Sequence, residues 1–296
     1  MNDFSTPVSK RIFMSRKLHF FSIALLVALP ICPGRAAFEA RGFDENAPAP
    51  EFPAPEERAP GFRPGERFEY RGAWGIFNAA ATIILTTDME LSDGRELFHI
   101  GTRARTNGFV RMIYPADTVS DSFLDPESWS VLSSHLEGRT GKDDNQVLTT
   151  IDYDRRLIIH QDDIEPEKSY THPLPMDPVL DFVSAFLQMR GMPLEVGKSF
   201  PVLVHGGGRF YFGHVDVVGR EVKKSVFGRI PSFALKPRTE KATGVFAGGG
   251  GVTLWVTDDE HRLPFRVDVD VALGTASLIL DRYEAPGVTL GKENRR

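Results

Sequence analysis

DPVLDFVSAFLQMR, residues 177–190, followed at once by Gly191, is the stretch on which the fold turns. Asp177 suits an N-cap, and Pro178 suits the first helical position, where its missing N–H would have had no partner in any case. Val179, Phe182, Val183, Phe186 and Leu187 recur at the helical period and make one apolar stripe. Gly191 offers the positive φ used at helix C-caps, and Pro193 blocks continuation. The spacing therefore predicts a helix over 177–190. Nearly everything around it reads as strand, so the stripe has to be buried against a sheet. The expected fold is α+β and mostly β: a strongly curved antiparallel sheet, an open barrel or a spiral, wrapped around this one central helix.

Working outward, the chain before the helix alternates and turns. Gly65–Asp88 predicts two strands joined near Gly75–Asn78, and Ser92-Asp93-Gly94-Arg95 is a hairpin signal between apolar flanks. Asn107–Tyr114 reads as a helical turn or an irregular crossing. Strands follow at Thr118–Phe123, Val131–Glu137, Gln146–Tyr153 and Leu157–His160, and Glu165–Pro175 reads as a loop. After the helix, Ser199–Val204 and Arg209–Val218 flank a glycine turn at Gly206–Gly208. Pro231–Lys236 and Val252–Thr257 are the next strands, the latter preceded by the glycines 248–251, and Asp258–His261 is a polar turn. Leu263–Val271 alternates strictly, Phe265, Val267 and Val269 against Arg266, Asp268 and Asp270, as an antiparallel strand with one wet face does. Ala276–Arg282 is the last strand expected.

The N-terminus is read as a secretory signal peptide over residues 1–36. Lys10, Arg11, Arg16 and Lys17 precede the apolar run Leu18–Ile31, and the small residues Gly34 and Ala36 mark an exit. The run is shorter than the roughly 20 residues a membrane span needs. Met14 offers an alternative start. The lone cysteine, Cys32, raises lipid anchoring as the less favoured alternative, since Ile31 precedes it where a small residue is wanted. Residues 37–64 carry six prolines from Pro48 onward and read as a disordered linker, residues 65–284 as a single domain, and residues 285–296 as a polar tail. Cleavage after Ala36 leaves no cysteine, so neither a disulfide framework nor a thiolate metal site is available, and the expected location is the periplasm. Removing the leader's five basic residues and one acid leaves 30 basic against 39 acidic residues. That balance disfavours nucleic acid, which wants a basic face.

Catalytic patterns are sparse. Gly197-Lys198-Ser199 resembles the end of a phosphate loop, but Met192 stands where the first glycine is required and the segment leads from helix to strand. There is no Gly-x-Ser-x-Gly elbow, and the histidines fall in no compact ligand spacing. His205 and His214 flank the Gly206–Gly208 turn, and with Asp216 they are the one metal set worth naming, a weak one. Trp255 and the helix residues Phe182 and Phe186 are the weak candidates for lining an apolar groove between helix and sheet. No cofactor and no catalytic residue is expected.

Several motifs together resemble the bacterial exported proteins of the domain of unknown function 3108 family. They are Gly65-Glu66-Arg67-Phe68-Glu69-Tyr70 with Trp74-Gly75, Ile113-Tyr114 with Asp117 and Ser120, and Asp177-Pro178 leading to Phe186-Leu187 and Arg190. Pro193–Lys198 follows, then Thr253–Asp259 with Arg262-Leu263-Pro264. The chain departs from the family pattern at Val179-Leu180-Asp181. The resemblance spans about residues 64–284 and implies an exported, β-rich envelope protein; it supplies no catalytic residues. The leading expectation is thus a non-enzymatic periplasmic protein that binds a lipid or other apolar molecule between sheet and helix. The alternatives are an envelope interaction or scaffold protein with a fully packed core, whose partners are envelope proteins, and, behind both, a hydrolase with a dispersed Asp/His site. No transmembrane span is expected in the mature chain.

Overall fold

A computed structural model describes residues 61–92, 94–239, 251–271 and 274–291. The expected signal peptide with Cys32, the linker as far as residue 60, the glycines 248–250 and the tail from residue 292 lie outside the described residues. Two antiparallel meanders make up the chain. The first comprises β1 (Glu66–Trp74), β2 (Phe77–Ser92), β3 (Arg95–Thr106), β4 (Ala116–Leu124), β5 (Val131–Thr140), β6 (Asp143–Asp152), β7 (Leu157–Asp162) and β8 (Tyr170–Pro173). The second comprises β9 (Ser199–Gly206), β10 (Arg209–Ser225), β11 (Gly228–Thr239), β12 (Val252–Thr257), β13 (Pro264–Val271) and β14 (Gly274–Ala285). Pairing of β1 with β14 joins them into one 15-stranded sheet, β8 at one end and β9 at the other, with β15 (Val288–Gly291) beside β14. A six-residue helix, α1 (Gly108–Ile113), interrupts the first meander, and α2 (Phe182–Gln188) lies in the crossing from β8 to β9.

The mostly-β architecture with one helix in the core is as the sequence predicts, but five expectations are corrected. The helix begins at Phe182, not at Asp177. Asp181 is the N-cap: its carboxylate accepts from the Ser184 N–H at 2.7 Å, while the Ser184 hydroxyl accepts from the Asp181 N–H at 2.9 Å. This reciprocal capping box satisfies two donors that a helix start leaves open. Val179 and Leu180 are withheld from the helix because their backbone groups are taken elsewhere. The Val131 N–H donates to the Val179 carbonyl at 3.1 Å, and Leu180 exchanges bonds of 3.0 and 2.7 Å with Leu203 and His205 of β9. Gly191 supplies no left-handed cap; it ends a 3-10 turn, Met189–Gly191. The expected loop 165–175 contains β8, and the expected tail contains β15. The expected linker reaches into the core with Gly61 and Phe62, the latter wedged between Phe98 and Trp129 at centroid distances of 5.1 and 5.2 Å. A Cβ on Gly61 would sit 2.8 Å from the Leu187 carbonyl oxygen, so only glycine lets the incoming chain cross α2 this closely.

Asp181 also accepts from the Ser122 hydroxyl of β4, tying the cap to the sheet. Asp181→Ala is expected to lower stability by about 0.5–2 kcal/mol, the range for a lost N-cap, as a shift of the urea midpoint at unchanged slope. An unchanged midpoint would show that the cap is dispensable.

Side-chain alternation followed through the ladders shows how the sheet closes. Val217, Leu235, Leu254, Val267 and Leu278 are successive cross-strand partners and share the face of Gly72 and Ala81. Carried on through Ser122, Ser134 and Thr149, that same face bears His160 and Tyr170. Tyr211 and Val204 lie on it too, so His205 and Leu203 point the other way. Yet Tyr170 hydrogen-bonds to His205. The sheet is therefore a scroll: the inner face of β7 and β8 laps over the outer face of β9, and no ladder closes it. This overlap explains why Leu203 and His205 are buried on what would otherwise be the outside of the sheet.

Candidate functional site

Glu66, the first residue of β1, falls in the inward phase with Phe68 and Tyr70 and is wholly buried. A carboxylate there needs a partner. Arg190, carried by the 3-10 turn after α2, provides one with two bonds of 2.7 Å, Nη1 to Oε2 and Nη2 to Oε1, its own side chain only 3% exposed. The Tyr283 hydroxyl donates to Oε1 at 2.6 Å and the Arg63 N–H to Oε2 at 3.2 Å. The remaining guanidinium edge reaches the His261 carbonyl, Nε at 3.2 Å and Nη2 at 3.0 Å, and the plane sits over the Phe68 ring at 5.5 Å. Arg262 in turn donates to the Arg190 and Met192 carbonyls, and the Tyr70 hydroxyl donates to the Pro264 carbonyl at 2.8 Å.

Burial works against the Arg190 charge, but the bonds to Glu66 and its negative charge outweigh burial and hold the guanidinium above its ordinary range. Burial, then the bond to Glu66, pushes the Tyr283 hydroxyl up to about 12, and burial raises Tyr70 well above its ordinary value. Both phenols stay protonated and act as fixed donors. The cluster fastens five segments at one point: the incoming chain, β1, the end of α2, the β12–β13 turn and β14. Three stretches far apart in sequence, the Glu66–Tyr70 opening, Arg190 and Arg262-Leu263-Pro264, meet within hydrogen-bonding distance. Glu66 in the phase of Phe68 and Tyr70 was the available signal for a buried charge; nothing local in the sequence identified Arg190 as its partner.

The second polar constellation is the seam of the scroll. Tyr170 and His205 Nε2 share a hydrogen bond of 2.6 Å, the His160 ring stacks on Tyr170 at 5.0 Å, and His160 Nδ1 bonds the Thr149 hydroxyl at 3.0 Å. His160 and His205 meet edge to face at 5.7 Å, both buried. Burial, and then the nearby His160, lowers the His205 pKa to about 3, and burial lowers that of His160. A third histidine, His99, sits on the outer face between two carboxylates, Nδ1 2.6 Å from Glu90 and Nε2 2.8 Å from Asp121. Both ring nitrogens are thus engaged by carboxylates.

The residues singled out from sequence are not brought together. His205 pairs with Phe210, whereas His214 pairs with Pro201, four positions along the ladder and about 13 Å away. Asp216 is bound by Arg238 at 2.9 Å and by the Ser199 hydroxyl at 2.6 Å. Among the described residues no three His, Cys, Asp or Glu side chains are grouped to hold a metal ion. The groove candidates also divide. Phe186 meets Tyr70 at 6.0 Å on the inner face, and Phe182 meets Tyr211 at 5.5 Å. Trp255 pairs with Arg266 on the opposite face, where Lys223 lies 3.6 Å over its ring and Glu221 accepts its indole N–H. The hairpin offset and the strand phase, neither visible in residue spacing, decide both outcomes.

The family model of the protein family of unknown function DUF3108 matches residues 69–281. No curated protein matches the chain. Solved structures similar to it include a β-barrel-like protein of domain of unknown function DUF1849 from Brucella abortus, with 8% identity over 75% of this chain and 97% of that one, at a TM-score of 0.48. The hypothetical protein CT021 from Chlamydia trachomatis is similar over 79% of this chain and 93% of its own, with 6% identity and a TM-score of 0.37.

Proposed function

This chain belongs to the DUF3108 family of proteins of unknown function, and we propose that it is an exported, non-catalytic interaction protein of the cell envelope whose helix fills the core of the scroll. One observation carries this reading. The contact between the end of α2 and the sheet is occupied by Arg190, Glu66, Tyr283 and Phe68, and the polar atoms of the first three are spent on one another, on the Arg63 N–H and on the His261 carbonyl. Leu187 and Val179 beside them are completely buried. A carrier needs an unfilled apolar space at this contact, and the clamp fills it. Export is supported by the order of basic, apolar and small residues in the leader. Among the described residues no helix is long and apolar enough to cross a membrane.

A second reading, a carrier of an apolar ligand, draws on the partly buried rings of Phe182 and Phe186 of α2. Native mass spectrometry of protein purified gently from the cells that make it separates the two. The bare polypeptide mass is expected. A reproducible excess mass that disappears on denaturation would overturn the packed-core reading in favour of the carrier.

A further inference from the structure

The β1–β2 turn and α1 form one end of the scroll, and this end is built with its apolar side outward. Ile76, at the tip of the turn, is 87% exposed, and Met112 of α1 is 81% exposed. Phe109 and Ile113 are also exposed, while Val110 is the one buried residue of this helix. A six-residue helix that buries one apolar side chain and presents three to solvent gains little for the fold from those three.

Nor is the segment loosely held. The Asn107 N–H donates to the Ala80 carbonyl at 2.8 Å, and its side-chain amide donates to the Thr82 hydroxyl at 2.7 Å. Arg111 is fixed to Asp117 at 2.6 Å, and Phe109 stacks on Phe77 at 5.7 Å with an interplanar angle of 16°. Ala80 and Val110 form a small core of their own under Trp74 and Phe77. The apolar side chains are therefore displayed on a rigid base. A contiguous exposed apolar patch of this kind marks an interaction surface.

We propose that this end of the protein docks on an anionic lipid surface, inserting Ile76, Phe109 and Met112 at the headgroup–acyl boundary. Aromatic and basic neighbours favour lipid over a protein partner. The apolar residues stand on two neighbouring connections at one end of the sheet, the β1–β2 turn and α1, whose Phe109 stacks on Phe77 beside that turn. Behind them stand the aromatic rings of Trp74 and Phe77, and Trp is of the type that settles at membrane interfaces. Behind those come the exposed arginines Arg105 and Arg103 on the outer face of β3. Arg105 precedes the helix N-cap Asn107 by two residues, about 7 Å along the strand, and lies opposite Thr82 of β2. Asp117, which lies opposite Arg105 on β4, is bound by Arg111, and Asp281 is bound by Arg71 at 2.9 Å, so Arg103 and Arg105 are not spent on these two carboxylates, although the chain as a whole is acidic, at −5. The proposal goes beyond the interaction reading by naming a lipid surface as the partner. It is independent of the packed core, which the native mass tests separately.

The test is co-sedimentation of the purified protein with vesicles of phosphatidylglycerol and phosphatidylcholine in equal parts, against vesicles of phosphatidylcholine alone. The protein is expected to prefer the anionic vesicles, and Ile76→Asp/Met112→Asp to bind them more than about tenfold more weakly, with an unchanged melting curve. Replacing Arg103 and Arg105 by Gln is expected to weaken the anionic preference about fivefold per arginine. A membrane-active N-terminal segment would bind wild type and variant alike, so their difference reads the tip. Brominated lipids should quench Trp74 fluorescence and spare Trp129 and Trp255. Equal binding by wild type and Ile76→Asp/Met112→Asp would overturn the proposal. So would absence of vesicle binding, which, combined with a dimer abolished by the same substitutions, would assign the tip to a second copy of the chain.

Discussion

Arg190→Met lowers the stability of the fold by about 3–5 kcal/mol, the cost of leaving one charge of a buried ion pair without its partner. Glu66 is wholly buried and keeps only the Tyr283 hydroxyl and the Arg63 N–H once the guanidinium is gone. The His261 carbonyl loses both of its side-chain donors at the same time, and the Phe68 ring loses the cation above it. Because the clamp joins five segments, the loss is expected in the single cooperative unfolding transition and not as fraying of α2. Urea denaturation reads it as a fall in the midpoint. The double variant Glu66→Leu/Arg190→Met separates charge from packing: removing both charges is expected to recover part of the loss, since an apolar pair of similar volume can replace a buried ion pair. A single variant that loses less than about 1 kcal/mol would show that the clamp does not fasten the fold.

The second large effect is acid sensitivity at the scroll seam. An exposed histidine in the unfolded chain takes a proton near pH 6.5, whereas folded His205 resists protonation down to about 3, mainly because it is buried and secondarily because His160 lies beside it. Across that window the unfolded state binds more protons, so stability falls as pH drops from about 6.5 toward 3 and is at its full value above the window. At about 1.4 kcal/mol per unit, His205 alone accounts for a loss on the order of 4–5 kcal/mol at the acid end. His160, also lowered by burial, adds to it, and the negative charge of Asp162 acts in the opposite direction on that ring. His205→Phe should cost stability at neutral pH, since the Tyr170 hydroxyl loses its partner, yet flatten the decline between pH 6.5 and 4.5. Denaturant midpoints for wild type and variant over that range measure the two slopes. Parallel slopes would remove the seam from the account of acid unfolding.

Both predictions rest on contacts that no residue spacing announced. The strand at Leu263–Val271 was legible because its alternation records one buried and one wet face, and the Ser92–Arg95 hairpin because turn residues interrupt two apolar flanks. Both are local patterns. The helix was legible in its apolar stripe but not in its start: Asp177 and Asp181 are both adequate caps. The choice fell to Asp181 because Val179 and Leu180 are claimed by Val131 and β9, which lie far away in sequence. Reading His205, His214 and Asp216 as neighbours failed for the same reason, since the hairpin register spaces the two histidines four ladder positions apart.

By itself, then, the sequence determined the periodicities: where most strands run, where they turn, and that one helix must be buried among them. These follow from the fixed geometry of a strand or a helix, which converts residue order directly into a face. Only the tertiary structure decided what each face meets. Arg190 finds Glu66 across 124 residues of chain. Tyr170 finds His205 because the curvature of the sheet carries the inner face of β8 over the outer face of β9, and Trp255 is separated from α2 by the thickness of that sheet. Such meetings depend on the twist accumulated over many strands, a quantity spread along the whole chain.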